Sequence, residues 1–266
     1  MTGRGKFVAF EGIDGTGKGT LMTPVAALLE GLTGGRYFRT RQPGGSACGE
    51  AIRDILFKTV KTQNITDDAT TLLFLAGLAN ENEREIEPRL AKGITVVCDR
   101  WHASHLAYMA VRKNLTYPVA EASFRLATAE PDLTVLLIGD PKVLLARAQG
   151  RPGGEAGKQE AKTWNDVALQ TEIQDEFLKL VGSNPSTLVV DTTWAAPEWL
   201  FEHLIEPRVR ELFAPVEKAA TQYGLLAFPK KPASLCPRGE FCQDGGEHLF
   251  GEMGICVGCG AKKEAA

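Results

Sequence analysis

Long apolar runs are missing from this sequence. Nothing in it approaches the roughly 20 consecutive apolar residues needed to cross a bilayer, and Met1–Gly15 carries a basic pair but no apolar stretch of signal-peptide length. These absences exclude a membrane-spanning chain and point to a cytoplasmic protein. An excess of charge of one sign is missing too: 30 Lys and Arg against 33 Asp and Glu leave a net charge of −3. No overall field draws the chain to nucleic acid or an anionic membrane, so phosphate binding has to come from basic groups placed locally. No unit recurs at a fixed period, which excludes a solenoid. Cysteine is rare along most of the chain: of six, four fall between Cys236 and Cys259. What remains, 266 residues with 44% hydrophobic and 24% charged, is ordinary globular composition. The length suits one large α/β domain with an appendage, or two modest domains.

Short β-rich runs alternate with helical stretches as far as residue 213. Lys6–Phe10, Tyr37–Arg41, Ile94–Cys98, Leu133–Ile138 and Ser186–Val190 read as strands. Nearly unbroken apolar strands separated by helices are expected of a parallel sheet covered on both faces. Helical spacing is found over Glu50–Lys58, Asp68–Ile86, a segment opening at Pro141, Trp164–Val181 and Pro197–Phe213. Pro88 is expected to bend or restart the second of these before Gly93 ends it. Residues 149–162 are glycine-rich, charged and without a core face, which predicts a surface loop. Residues 214–234, with three prolines, read as a linker between a main domain at 1–213 and a tail at 235–266.

Directly after the first strand comes Gly12-Ile13-Asp14-Gly15-Thr16-Gly17-Lys18-Gly19-Thr20, with the G-x-x-x-x-G-K spacing of a phosphate-binding loop. Glycines let the backbone turn tightly enough for several N–H groups to converge on an anion, and the following helix adds its positive end. Gly12, Gly15, Thr16, Gly17, Gly19 and Thr20 would then line the donor phosphates, with Lys18 as the mobile cation. Gly19 stands where a hydroxyl residue is usual, so Thr20 or water is left to meet Mg²⁺. The plainer alternative is a glycine-rich strand-to-helix turn with an exposed lysine. Pro24 falls within the helix after Lys18 and is expected to kink it.

These residues, with Thr40-Arg41-Gln42-Pro43-Gly44-Gly45 and the block from Asp99-Arg100-Trp101 to Ser104 and Ala107-Tyr108, resemble the thymidylate kinase family in motif and order over residues 5–210. The resemblance implies a P-loop fold with a five-stranded parallel sheet, and Mg²⁺-dependent transfer of the γ-phosphoryl group of ATP to a deoxynucleoside monophosphate. Such a transfer asks little covalent help of the protein; charge neutralisation and alignment do most of it. By the resemblance, Asp14 contacts the acceptor's sugar hydroxyl, and Arg41 and Arg100 grip the acceptor phosphate or the migrating group. Asp99 positions Mg²⁺, and Phe74 stacks on the base near Ser104 and Tyr108. Asp99-Arg100 also reads as a local ion pair, Phe74 as a core residue, and Ser104 and Tyr108 as structural hydrogen-bonders. Thr16 stands where some members carry a loop arginine, which leaves Arg147 and Arg151 as lid candidates. A homodimer is the family's common assembly.

Three positions depart from the family pattern: Leu78 in place of an arginine, Gln42 in place of a glutamate, and Met109 in place of a glutamine. Each removes a charge or hydrogen-bonding group near the expected acceptor site, so a dTMP analogue altered at the 5-position stands beside dTMP as acceptor. The alternatives are a deoxynucleoside kinase, or a weakly catalytic nucleotide-binding protein whose tail recruits a partner. In that tail Cys236, Cys242, Cys256 and Cys259 form a candidate structural Zn²⁺ site, with His248 as a substitute ligand and two disulfides as the alternative. Nucleic acid or a protein is the tail's candidate partner.

Overall fold

The computed structural model describes residues 3–59, 65–112, 117–150 and 166–214. Met1–Thr193 with Pro197–Leu212 form one compact unit, which carries the site. The apolar runs become β1 (Phe7–Glu11), β2 (Tyr37–Arg41), β3 (Thr95–Asp99), β4 (Leu133–Ile138) and β5 (Thr187–Asp191). All pair in parallel, in the order β2-β3-β1-β4-β5. Every residue of β1 and β4 is buried, as their unbroken apolar sequences require of central strands covered on both faces. The expected strand sequences are correct, with three of the five starting one residue later.

The helices are α1 (Lys18–Thr33), α2 (Ala47–Asp54), α3 (Asp67–Glu81), α4 (Glu87–Ala91), α5 (His102–Val111), α6 (Tyr117–Leu126), α7 (Pro141–Gln149), α8 (Val167–Val181), α9 (Pro197–Leu200) and α10 (Glu206–Glu211). A π-helical turn, Asn82–Ile86, joins α3 to α4, with Pro88 in the first turn of the restarted helix. Ser46, Thr66, Asp140 and Asp166 cap α2, α3, α7 and α8 by accepting backbone N–H groups. Each satisfies a donor that the helix leaves orphaned. The Ser46 cap explains why α2 starts three residues before the sequence expectation. Pro24 does not break α1 into two elements: the helix runs through it to Thr33, its seventh residue simply lacking an N–H. The helices α5 and α6 were not legible from periodicity. Among the described residues, no helix is long and apolar enough to cross a membrane.

Two apolar clusters fix the strands. In one, Phe7 and Ala9 of β1 and Val96 and Cys98 of β3 pack with Leu78, Ile86, Leu90 and Trp101. In the other, Leu136 and Ile138 of β4 meet Ile173 and Phe177 of α8, Ala103 and Ala107 of α5, and Leu144 of α7. Each fully buried large side chain contributes about 1.5–3 kcal/mol of transfer free energy. The ends of β1, β2 and β3 therefore stand on a rigid base. Since β1 lies between β3 and β4 while the chain runs from β1 to the outer β2, the strand order switches direction here, and ligands of open α/β sheets bind outside the strands' carboxyl ends at such a point.

Candidate active site

The chain leaves β1 into a loop whose backbone only glycine accepts. Gly12, Gly15 and Gly17 have φ values of 130°, 83° and 82°. A Cβ at Gly12 would lie 2.2 Å from the Leu137 carbonyl oxygen, and one at Gly15 would lie 1.9 Å from that of Leu144. The loop is thus seated directly on β4 and α7. The Thr16 hydroxyl closes it internally, donating to the Ile13 carbonyl at 2.9 Å. Lys18, the first residue of α1, folds its ammonium back over the loop and donates to the Gly12 and Ile13 carbonyls at 2.9 and 3.0 Å. Burial, with Arg100 nearby, pulls its pKa down to about 8. It is therefore a cation at neutral pH, held by two backbone carbonyls of the loop. Gly19 and Thr20 are exposed on the first turn of α1.

At the end of β3 the chain makes a second unusual turn. Arg100 adopts φ 68°, the left-handed region, and is the only non-glycine residue to do so among the described residues. That conformation costs about 1–2 kcal/mol and persists only where the surroundings over-determine it. Here Arg100 N donates to Phe10 O at 2.8 Å, and Trp101 N donates to Glu11 Oε1 at 2.9 Å. The turn sends the guanidinium back over the phosphate loop. Nη1 donates to Gly12 O at 2.7 Å and Ser104 Oγ at 3.2 Å, while Nη2 meets Asp14 Oδ1 at 2.6 Å. The same guanidinium lies 5.4 Å from the centre of the Tyr108 ring. Burial disfavours its charge, but Tyr108, Asp14, Asp99 and Glu11 together hold its pKa above the ordinary arginine value. Burial in turn raises the Tyr108 phenol, so it is protonated at neutral pH.

Glu11, the last residue of β1, was not singled out by sequence reasoning. It is 1% exposed, and its two oxygens take three donors from the start of α5: Trp101 N, Ser104 N at 3.2 Å, and the Ser104 hydroxyl. Burial raises its pKa to about 7 against the lowering effect of those bonds. A carboxylate between Phe10 and Gly12 was the available sequence signal, since an ionisable group closing an apolar strand needs partners when buried. Asp99 closes β3 opposite Phe10, and its Oδ1 is buried with no hydrogen-bond partner among the described residues.

The remaining acceptor-side candidates are more dispersed. Arg41 makes a bidentate pair with Glu50, Nη2 lying 2.9 and 2.8 Å from the two carboxylate oxygens. Glu50 also accepts the Gly45 N–H at 3.0 Å, tying Arg41 to the glycine turn after β2. Phe74 on α3 is half-buried, its ring centre 6.1 Å from that of His105 on α5. Both His105 nitrogens are buried without a hydrogen-bond partner among the described residues, and burial, then His102, lowers its pKa to about 4. Thr40 donates its hydroxyl to Glu81, a carboxyl raised to about 7 by burial. Glu50, Glu81 and His105 thus join Glu11 as groups that periodicity could not reveal.

The three departures from the family pattern all meet α3. Leu78 is 2% exposed in the cluster containing Trp101. The Gln42 amide donates to Gly77 O at 3.4 Å, and Met109 Sδ accepts the Thr71 hydroxyl at 3.0 Å. Arg147 on α7 donates to Thr192 O at 3.0 Å, which ties its fork to the end of β5. Arg151 and the four tail cysteines lie outside the described residues, as do residues 60–64 and most of the 149–162 segment.

A thymidylate kinase family model matches residues 10–198. The thymidylate kinase of Solidesulfovibrio magneticus is 42% identical over 201 residues, covering 74% of this chain and 95% of that protein. That of Trichlorobacter lovleyi is 30% identical over 213 residues, or 79% of this chain and all of its own length. Among solved structures, the thymidylate kinase of Ehrlichia chaffeensis has the same fold, with a TM-score of 0.58 at 24% identity, covering 77% of this chain and 98% of that one. That of Candida albicans superposes with a TM-score of 0.61 at 20% identity, covering 79% and 93%. Matched through its phosphate loop, the Arg100 turn and nearly the full length of these relatives, the chain belongs to the thymidylate kinase family.

Proposed function

We propose that the protein transfers the γ-phosphoryl group of ATP to dTMP, giving dTDP and ADP. The observation that carries this is the convergence of two cations, Lys18 and Arg100, on one glycine loop, with Arg100 reaching it through a strained turn. Lys18 and the loop amides from Gly12 to Thr20 hold the donor phosphates. Arg100 neutralises charge between donor and acceptor, its planar fork suiting two phosphate oxygens at once. Asp14, Ser104 and Tyr108 border the acceptor sugar, Phe74 faces its base, and Arg41 is released from Glu50 to the acceptor phosphate. Arg147 and Arg151 serve the lid.

Mg²⁺ fits the residues present. The orphaned, buried Oδ1 of Asp99 is a ready oxygen donor, and the described residues hold no cluster of three metal-binding side chains. That suits an ion bound by one or two carboxylates with water and substrate phosphates. Bound there, it would supply charge neutralisation across the donor phosphates. Asp99 is the residue to hold it, with Thr20 as an exposed hydroxyl on the first turn of α1.

A nucleoside kinase reading is disfavoured, because it gives the acceptor-side arginines no substrate phosphate to bind. A binding-only reading is disfavoured by a site that retains its cations and its metal-binding carboxylate. The main domain is assigned to residues 1–213 and a linker to 214–234. The Cys236, Cys242, Cys256 and Cys259 set is assigned to structural Zn²⁺, and the assembly to a homodimer in the cytoplasm. A product-resolved assay with ATP, Mg²⁺ and a panel of monophosphates, including 5-substituted dTMP analogues, tests the acceptor assignment. ADP formation without added monophosphate, or equal turnover of the unphosphorylated nucleoside, contradicts it. Elemental analysis of the purified full chain tests the zinc assignment.

A further inference from the structure

Resting on the kinase reading above, we propose that Glu11 is a positioning residue: its carboxylate sets the direction of the Ser104 hydroxyl and thereby aims the Arg100 guanidinium. An ionised carboxylate can only accept hydrogen bonds. Glu11 Oε1 already takes the Trp101 and Ser104 N–H groups, and Oε2 takes the Ser104 hydroxyl. The single hydroxyl hydrogen of Ser104 therefore points to Glu11, and its lone pairs are turned outward. One of them receives Arg100 Nη1 at 3.2 Å. With Gly12 O and Asp14 as its other partners, the guanidinium is fixed from three sides over the phosphate loop.

Protonating Glu11 reverses this chain. Oε1 is occupied by two donors, so the added proton resides on Oε2 and donates to Ser104 Oγ. The hydroxyl hydrogen must then leave Glu11 for another direction, and the carboxylate no longer holds a Ser104 lone pair aimed at Arg100. Burial brings this event to pH about 7. The other titratable groups acting on Glu11 or acted on by it are Lys18, Cys98, Arg100 and Tyr108. Lys18, with a pKa of about 8, is the one of these whose own titration lies nearest.

Glu11→Gln mimics the protonated state at every pH, because the amide oxygen still accepts both backbone N–H groups while the amide nitrogen donates to Ser104. The test is steady-state kinetics on the full-length chain from pH 5.5 to 9, varying dTMP and ATP separately. For the wild type, kcat/KM for dTMP should rise through pH about 7, beyond the rise near pH 6 from the acceptor's own phosphate. In Glu11→Gln the step near 7 should vanish, with kcat/KM for dTMP down about tenfold at pH 8 and KM for ATP changed less than about twofold. Ser104→Ala should lose the same step, and the two changes together should cost less than the sum of the single losses. If the Gln variant does not fold, Ser104→Ala decides alone. Retention of the step in either variant, or an equal loss on the ATP side, overturns the proposal. Failure of the wild type to convert dTMP at all refutes the kinase reading instead.

Discussion

Arg100 and Asp14 meet at 2.6 Å above the phosphate loop, although 86 residues separate them in the chain. The pair joins the β1 loop to the β3 turn, and the same guanidinium also holds Gly12 O and Ser104. Arg100→Lys replaces a planar fork serving three partners by a point charge that cannot span them. The expected outcome is a fall in kcat of about a hundredfold or more with the melting temperature within a few degrees of wild type. Steady-state kinetics and thermal melts on the same preparation check it.

Gly15 and Gly17 share a left-handed backbone, yet only Gly15 lacks room for a side chain. A Cβ there meets the Leu144 carbonyl oxygen at 1.9 Å, whereas one at Gly17 meets nothing within 4 Å. Gly17→Ala should cost only the conformational penalty of about 1–2 kcal/mol. Gly15→Ala must in addition push the loop off α7, so its destabilisation should exceed that of Gly17→Ala by about 1 kcal/mol or more. Urea denaturation of the two variants measures the difference.

Restoring the family arginine at position 78 should harm the protein. Leu78 is 2% exposed among Phe7, Ile86, Leu90 and Trp101. Leu78→Arg buries a cation among apolar side chains, a change worth about 3 kcal/mol or more of stability. For a domain of this size the melting temperature should fall by roughly 6–12 °C. Differential scanning calorimetry checks it, and an unchanged melt shows that α3 can rotate this position out of the apolar cluster.

Stability should vary little between pH 4.5 and 6.5, because two buried pairs act in opposite senses. Glu11 and Glu81 have folded pKa values raised from 4.5 to about 7, so their contribution is fully present below 4.5 and is lost as pH rises through 7. His102 and His105 are lowered from 6.5 to about 4, so theirs is present above 6.5 and is lost as pH falls through 4. Glu81→Gln removes one compensating proton uptake and should make stability fall more steeply on acidification. Unfolding free energies at pH 7.5, 6 and 5 test the sign.

Much of the fold could be read from apolar runs, because strands buried on both faces leave a continuous signature that turns and helices interrupt. The phosphate loop was equally legible, since the close approach of the Leu137 and Leu144 carbonyls forces glycine into the sequence itself. Helix α5 was not. Six of its ten residues are buried, among them Ser104 and His105, so no polar stripe marks an outer face. The site's internal wiring was hidden for a related reason. Glu11 pairs with residues some ninety positions away, Arg41 with Glu50, and Thr40 with Glu81. These pairings depend on which strands become neighbours. Local spacing carries no trace of that.

The most direct test of the account is conversion of dTMP to dTDP by wild-type protein and by Lys18→Ala, with ATP and Mg²⁺. The Lys18 ammonium sits 2.9 Å from Gly12 O inside the loop that is to hold the donor phosphates. Wild type should form dTDP in step with ADP, and the variant should lose at least about a hundredfold in kcat/KM for ATP while remaining folded. Undiminished turnover in Lys18→Ala would contradict it.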